Sequence, residues 1–347
     1  ARFSNDSEGR PIETLNYLLA GASYENERGK PAMGGLFIRT PSGEWTKQTL
    51  GMIEKDAAGA EVSAIGSWRD KSVGKDLVFA GASPAPLGIY RGVYDAAASG
   101  GIKFDLEPEY LPRGQEQIID FAKCGSRFYA ATSRQILMRE DGEQPEWESI
   151  LDLEDVVSVR PYLEDLDIYW QKNYQISSFR CDPGQAKPTL AFTTLNRAFT
   201  FDPSDKGAKT EVNIASLIRT RLGREPHYVI AGEASLIRSR GRDLEEWIGL
   251  EIYYDPDYVA ARPPFPHWRT GFGKDGWYLV RTVIGGQISY RLEEIIVPGH
   301  DPNLQPLAKI TDFERSPFEN DNAVYVGGFA PRFEDVTNTA WIARGEL

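Results

Sequence analysis

Cysteine, histidine and methionine are scarce in this sequence, and it contains no long apolar run. The 347 residues include only 2 Cys, 3 His and 3 Met. Two cysteines exclude a framework of several disulfides and a cysteine-rich zinc site. No run approaches the ~18 apolar residues that a membrane helix needs, so neither a membrane-spanning segment nor a membrane partner is expected.

Basic residues are also outnumbered, with 39 Lys and Arg against 51 Asp and Glu and a net charge of −12. Nucleic acid is not an expected partner, because phosphate affinity comes largely from Lys and Arg. The first residues, ARFSNDSEGRP, contain no apolar segment, so no signal peptide is visible. Since Cys124 and Cys181 look unpaired in the sequence, a cytoplasmic location is favoured.

The sequence contains a degenerate internal repeat. One set of apolar runs ends in small residues: YLLAGAS (17–23), LVFAGAS (77–83), FYAATS (128–133), VYVGGFA (324–330) and, more loosely, LAFTTL (190–195). A second run follows each of these or recurs elsewhere, and five of its six copies end in Arg. The copies end at Arg39, Arg91, Arg139, Asp202, Arg281 and Arg344.

Two further runs complete a unit of four. One follows the Arg run, as in EWESILDL (146–153), and the other precedes the small-residue run, as in QIIDFAK (117–123). The runs are short, rich in β-branched and aromatic residues, and bounded by Gly, Pro, Asp and Asn, which is typical of strands. Six such units cannot each bury both faces alone, but they can when packed radially.

This pattern resembles the six-bladed β-propeller superfamily, over the whole chain and without a WD or kelch signature. The resemblance implies an all-β fold in a single domain, 1–347, with six blades of four antiparallel strands. A pair of β-sandwiches is the alternative that also gives many short strands. The last unit ends after its third strand, so residues 1–12 are expected to help close the fold. A short helix is expected at 216–223, with Ser216 as its N-cap and Gly223 as its stop.

The loop between the second and third strands of the fifth unit, 254–276, is the largest departure from the repeat. In a propeller such loops lie on one face, together with the connections between blades, and a long irregular loop is typical of a functional segment. Its aromatic, basic and imidazole side chains would meet a ligand there. The candidate ligand-binding residues are Tyr258, Trp268 and Arg269, with Arg332 from the matching loop of the sixth unit. The alternative is that the aromatic residues only plug the end of the channel.

The scarce histidines supply the candidate catalytic groups. His227 begins the first strand of the fifth unit, and His267 lies on the long loop. An imidazole titrates near neutrality and could act as a base. The alternative for His227 is a structural role.

Two carboxylates occupy matching places in their first strands, Asp120 in QIIDFAK and Asp312 in KITDFER. Converging carboxylates suit Ca²⁺, which takes 6–8 oxygen ligands. The six-bladed propeller hydrolases that the fold resembles hold a central Ca²⁺ with carboxylates and amides, and Asp335 and Asn338 could contribute here. The alternative is a turn shared by the blades. No phosphate-cradling glycine loop is present, so no nucleotide cofactor is expected.

The remaining charged features have structural interpretations. The repeated Arg is expected to bond carbonyl groups of the next blade. The acidic run at 140–167 is expected to be a solvated face, or otherwise to face a basic partner or a cation.

Three functions fit these features. The first is a small molecule or saccharide bound at one asymmetric site on the loop face, with metal-assisted hydrolase or lyase chemistry as an extension. The second is a protein-interaction scaffold, and the third is a multivalent, lectin-like propeller. Because the loops differ strongly while the shared residues are core-type, the sequence favours the first.

Overall fold

The computed structural model groups the chain into two compact units. One contains residues 1–157 and 179–181, and the other contains 158–178 and 182–347. The structure describes residues 1–22, 26–27, 30–31, 35–48, 61–83, 88–105, 108–113, 116–141, 146–156, 175–182, 189–204, 209–226, 228–240, 243–254, 276–299, 309–316, 322–331 and 338–346. Among these, no helix has both the length and the apolar composition required to cross a membrane.

The first unit contains three blades. Its strands are β1 (Arg2–Asn5), β2 (Pro11–Asn16), β3 (Leu18–Ala22), β4 (Asn26–Glu27), β5 (Lys30–Pro31), β6 (Gly35–Arg39), β7 (Trp45–Gln48), β8 (Glu61–Asp70), β9 (Lys75–Ser83), β10 (Ile89–Tyr94), β11 (Ile102–Phe104), β12 (Ile118–Cys124), β13 (Arg127–Thr132), β14 (Gln135–Arg139) and β15 (Trp147–Asp152). Blade 1 is the sheet β3-β6-β7, blade 2 is β8 to β11, and blade 3 is β12 to β15, all antiparallel. Two short 3₁₀ segments lie at Ser99–Gly101 and Leu153–Asp155.

The other three blades follow in chain order. Their elements are β16 (Ser178–Cys181), β17 (Leu190–Thr194), β18 (Arg197–Phe201), β19 (Lys209–Asn213), α1 (Ile214–Leu222), β20 (Tyr228–Arg240), β21 (Asp243–Tyr253), β22 (Trp277–Ile284), β23 (Gln287–Glu294), β24 (Lys309–Arg315), β25 (Ala323–Pro331) and β26 (Asn338–Glu346). Blade 4 consists of β16 to β19, blade 5 of β20 to β23, and blade 6 of β24 to β26. Blades 5 and 6 join in one sheet where Glu251 of β21 pairs with Lys309 of β24.

The prediction of an all-β, six-bladed propeller is confirmed. The Arg-ending runs are the third strands of blades 2, 3, 5 and 6, and in blade 1 this run is the second of three described strands. Blade 6 also contains three strands among the described residues, as its sequence indicates. The N-terminal strand β1 pairs with β2, and Phe3 is fully buried beside Tyr17, Leu36 and Val78.

The predicted helix is present but begins earlier. Its N-cap is Asn213, whose Oδ1 accepts a hydrogen bond from the Ser216 amide at 3.0 Å. An Asn side chain caps well because it satisfies one of the amides at the helix start that lack an intrahelical partner. Gly223 ends the helix in the left-handed conformation at φ 70°, as predicted.

The small residues of the repeat lie where successive blades approach most closely. A Cβ atom on Gly81 of β9 would come within 2.5 Å of Ile118 Cγ2 on β12, the first strand of the next blade. Gly21 meets Val62 in the same way, and Gly249 meets Ile310. A larger residue would separate the blades, so the recurring glycine is explained by packing and not by a site.

Three of the first strands, β8, β12 and β24, have a β-bulge near their start. The register shifts between Val62 and Ala64, between Ile118 and Asp120, and between Ile310 and Asp312. A bulge bends its strand and leaves one residue out of the ladder. The Ser63 hydroxyl donates to the Ile118 carbonyl at 2.6 Å, so the bulge of one blade is bonded to the next.

Candidate functional site

Within the first unit, the loops that sequence analysis places together do meet. The turn between β13 and β14 lies against the connection that leads from blade 2 into blade 3. The Ser133 amide donates to the Gln117 carbonyl at 2.8 Å, and the Tyr110 hydroxyl donates to Gln135 Oε1 at 3.3 Å. This end of the blades therefore gathers side chains from three separate chain segments.

A polar cluster occupies that end. Gln135 Nε2 donates to Asp152 Oδ2 at 3.1 Å, and Arg113 Nη1 lies 3.9 Å from the same oxygen. Glu116 is 7% exposed and lies beside Thr132, which is fully buried. Burial raises the pKa of Glu116, the hydrogen bond from Thr132 opposes this change, and the nearby Asp152 carboxylate adds to it. Sequence analysis missed Glu116 because it lies outside every repeated run.

Asp120 and Asp312 occupy equivalent positions, as the sequence indicates. Each directly follows the bulge of its first strand, Asp120 opposite Ala131 and Asp312 opposite Gly327. The shared feature is thus a β-bulge and not a turn. Asp120 Oδ1 accepts from the Phe121 amide at 2.7 Å. Burial raises the pKa of Asp120 to about 6, although that amide and Arg180 both favour the charged form.

This shift gives a pH-dependent prediction. The folded protein holds a proton on Asp120 more tightly than the unfolded chain, so ionisation lowers stability as pH rises from about 4 to about 6. We expect Asp120→Asn to raise the free energy of unfolding by up to about 3 kcal/mol above pH 7 and to have little effect near pH 4. Denaturant unfolding across this pH range measures the difference. A variant that is destabilised equally at both ends would contradict the assignment.

The calcium prediction remains a prediction. Among the described residues no group of three or more His, Cys, Asp or Glu side chains could hold a metal ion. The side chains of Asp312 and Asn338 and the whole of Asp335 lie outside what the structure describes.

The repeated Arg residues that are buried bond to carboxylate groups. Within the described part of the chain they do not bond to carbonyl groups of the next blade, which the sequence analysis expects. Arg139 reaches Glu109 with two hydrogen bonds of 3.1 Å, and its guanidinium lies over the rings of Trp68 and Phe79. Its Nη1 is 3.8 Å from Asp70 Oδ2, at the end of the first strand of blade 2. Arg139 therefore links blade 3 to blade 2.

Arg281 repeats this arrangement in the second unit. It donates to Asp182 Oδ1 at 2.7 Å and Oδ2 at 2.5 Å, and to Glu246 Oε2 at 3.2 Å. All three side chains are at most 1% exposed. Burial opposes the charge of Arg281, but the two carboxylates outweigh burial and raise its pKa. Asp70 and Asp182 both follow a Ser-aromatic-Arg stretch, in SWRD and SFRCD, which is a sequence signal for this role.

The long connection predicted in blade 5 separates β21 from β22. At one end, the Arg224 guanidinium lies 4.2 Å from the centre of the Tyr254 ring, and at the other, the Ile295 amide donates to the Gly276 carbonyl at 2.8 Å. The remaining predicted site residues, His227, Tyr258, His267, Trp268, Arg269 and Arg332, lie outside the described residues. Their roles stay predictions.

The two cysteines form a disulfide. Cys124 ends β12 and Cys181 ends β16, and their Cα atoms are 5.5 Å apart, within the normal range for a disulfide. The interpretation of these residues as unpaired is therefore wrong. It failed because the two residues are 57 positions apart in the sequence, although they occupy matching positions in successive blades.

No family model and no curated protein matches this chain. Three solved structures illustrate the similarity found. The extracellular domain of the one-component system BT4673 from B. thetaiotaomicron is 13% identical, with a TM-score of 0.40 over 94% of this chain, and the chain spans only 38% of its length. Apo AztD from Citrobacter koseri is 10% identical, with a TM-score of 0.38 over 100% of this chain and 86% of that one. A Thermus thermophilus oxidoreductase described as a glucose dehydrogenase is 13% identical, with a TM-score of 0.31 over 81% and 92%. Similarity at this level indicates no particular function.

Proposed function

We propose that this chain binds one small molecule or saccharide at a single site built on residues 254–276. The observation that carries the proposal is the contrast among the connections between second and third strands. Two residues join β13 to β14 and two join β17 to β18, whereas residues 254–276 join β21 to β22. Residues 23–34 make blade 1 intermediate, so blade 5 has the longest of these connections. A long segment of this kind is typical of a functional loop.

The use of the repeated residues supports a single site over a multivalent one. A lectin-like propeller would rebuild the same polar pocket between blades. Here the repeated glycine permits close packing, and two of the repeated arginines, Arg139 and Arg281, bond to carboxylates within the protein. These repeated residues hold blades together, so binding is expected to depend on loops that differ between blades.

The disulfide supports an oxidising location for this function, in place of the cytoplasmic one. Disulfides form and persist in secreted, periplasmic and cell-surface proteins and are rare in the cytosol. We therefore include an extracytoplasmic location in the proposal.

Trp268 provides the test, since its ring offers a large contact area for a sugar face or a planar ligand. A thermal-shift screen against glucose, galactose, maltose and lactose should identify a stabilising ligand. Trp268→Ala should then weaken its binding by about 10-fold or more while the melting temperature stays near that of the wild type.

The control is Trp45→Ala, which removes a ring that is 51% exposed on β7. It should leave binding unchanged. A Trp268→Ala protein that binds normally would remove this residue from the site, and one that is destabilised by about 3–5 kcal/mol would favour the plug. If none of the sugars binds but a partner protein is retained only by an intact loop, the scaffold function replaces the proposal.

A further inference from the structure

A second feature points to a ligand, and it shares no residue with the loop 254–276. Glu116 is more than nine-tenths buried, yet its Oε2 has no hydrogen-bond partner among the described residues. A buried carboxylate oxygen without a donor is costly, and in native proteins such an atom is normally satisfied. A group that binds here would therefore have to donate a hydrogen bond to Glu116 Oε2.

The charges around Glu116 indicate which donor fits. Asp152 is a second carboxylate in the same cluster, while Arg134 is engaged by Glu154 at 2.8 Å. Arg113 is 73% exposed and 3.9 Å from Asp152, so solvent screens much of its charge. A positively charged donor would relieve the repulsion between the two carboxylates and satisfy Oε2 in one contact.

Neighbouring groups can orient such a donor and contact a carbon chain attached to it. Gln135 links the Tyr110 hydroxyl to Asp152, which fixes both groups. Leu111 directly follows Tyr110 on the same connection and is 56% exposed, so it presents apolar surface to solvent. An alkyl chain attached to the donor would find an apolar contact there.

We propose that Glu116, Asp152 and Tyr110 form a binding site for a small organic molecule that carries a primary ammonium group. The ammonium group donates to Glu116 Oε2 and lies within the field of Asp152, and Leu111 contacts the attached carbon chain. No covalent step is involved. Asp152 lies in the acidic run at 140–167, whereas Glu116 and Tyr110 lie outside it.

Calorimetric titration with n-butylammonium chloride near neutral pH tests the proposal. We expect a dissociation constant of about 1 mM, as one charged contact and a short alkyl chain can provide. Tetramethylammonium has the charge but no N–H donor, and it should bind at least about 10-fold more weakly. Glu116→Gln should weaken butylammonium binding by a similar factor. Asp155→Asn removes an exposed carboxylate from the neighbouring 3₁₀ segment and should leave binding within about two-fold of the wild type.

A measurement on the wild type guards against a Glu116→Gln protein that fails to fold. Among the described residues, the charged or titratable groups around Glu116 are Tyr110, Arg113, Arg134 and Asp152. Because burial raises the pKa of Glu116, butylammonium affinity should fall as pH is lowered towards that pKa, and binding should then release a proton. The proposal is wrong if butylammonium does not bind, if tetramethylammonium binds equally well, or if affinity is independent of pH.

Discussion

Arg281→Met should destabilise the protein by about 3–5 kcal/mol, because it removes a cation from two buried carboxylates. Asp182 and Glu246 are at most 1% exposed, and each accepts a hydrogen bond from this guanidinium. The methionine chain fills a similar volume, so the loss of charge and not a cavity dominates the effect. Equilibrium unfolding in urea measures the change.

The matched control is Arg39→Met, at the same position of the repeat in blade 1. Arg39 is exposed, so this substitution should alter the free energy of unfolding by no more than about 0.5 kcal/mol. Replacing Arg281, Asp182 and Glu246 together by apolar residues should recover much of the loss, since buried ion pairs contribute little net stability. Equal effects of Arg281→Met and Arg39→Met would contradict the role assigned to the buried ion pairs of Arg281.

Removing the disulfide should cost about 4 kcal/mol. Cys124 and Cys181 close a loop with a sequence separation of 57, and opening it restores conformational freedom to the unfolded chain. For the double variant Cys124→Ser/Cys181→Ser we expect a melting temperature lower by about 10 °C. Differential scanning calorimetry measures the shift.

A reductant distinguishes this effect from a packing effect of the serine residues. It should lower the melting temperature of the wild type towards that of the double variant and leave the double variant unchanged. A wild type that is insensitive to reductant, or that shows two free thiols by mass spectrometry after denaturation, would contradict the pairing.

The strands that could be predicted are those in which the buried residues are apolar. The runs that become β9, β13 and β14 are apolar and short, and the structure has them at nearly the predicted positions. Strand β21 was missed because buried Glu246 and Glu251 interrupt its apolar pattern. Sequence analysis takes charged residues as exposed, whereas Glu246 is buried and accepts a hydrogen bond from the distant Arg281.

The candidate site shows the same limit. The equivalence of Asp120 and Asp312 was visible, because both residues repeat the same local sequence. Glu116 was not visible, because its environment comes from Thr132 and Asp152, which the fold brings to it from other segments. Local repetition is therefore readable from the sequence, whereas burial created by contacts between loops is not.

The buried contact between Asp182 and Arg281 also affects the order in which the chain folds during synthesis. Asp182 leaves the ribosome 99 residues before Arg281 does, which at about 5–20 residues per second is a delay of about 5–20 s. Until Arg281 emerges, the hydrogen bonds from its guanidinium to Asp182 cannot form. This contact of blade 4 is therefore made only after the third strand of blade 5 has been synthesised.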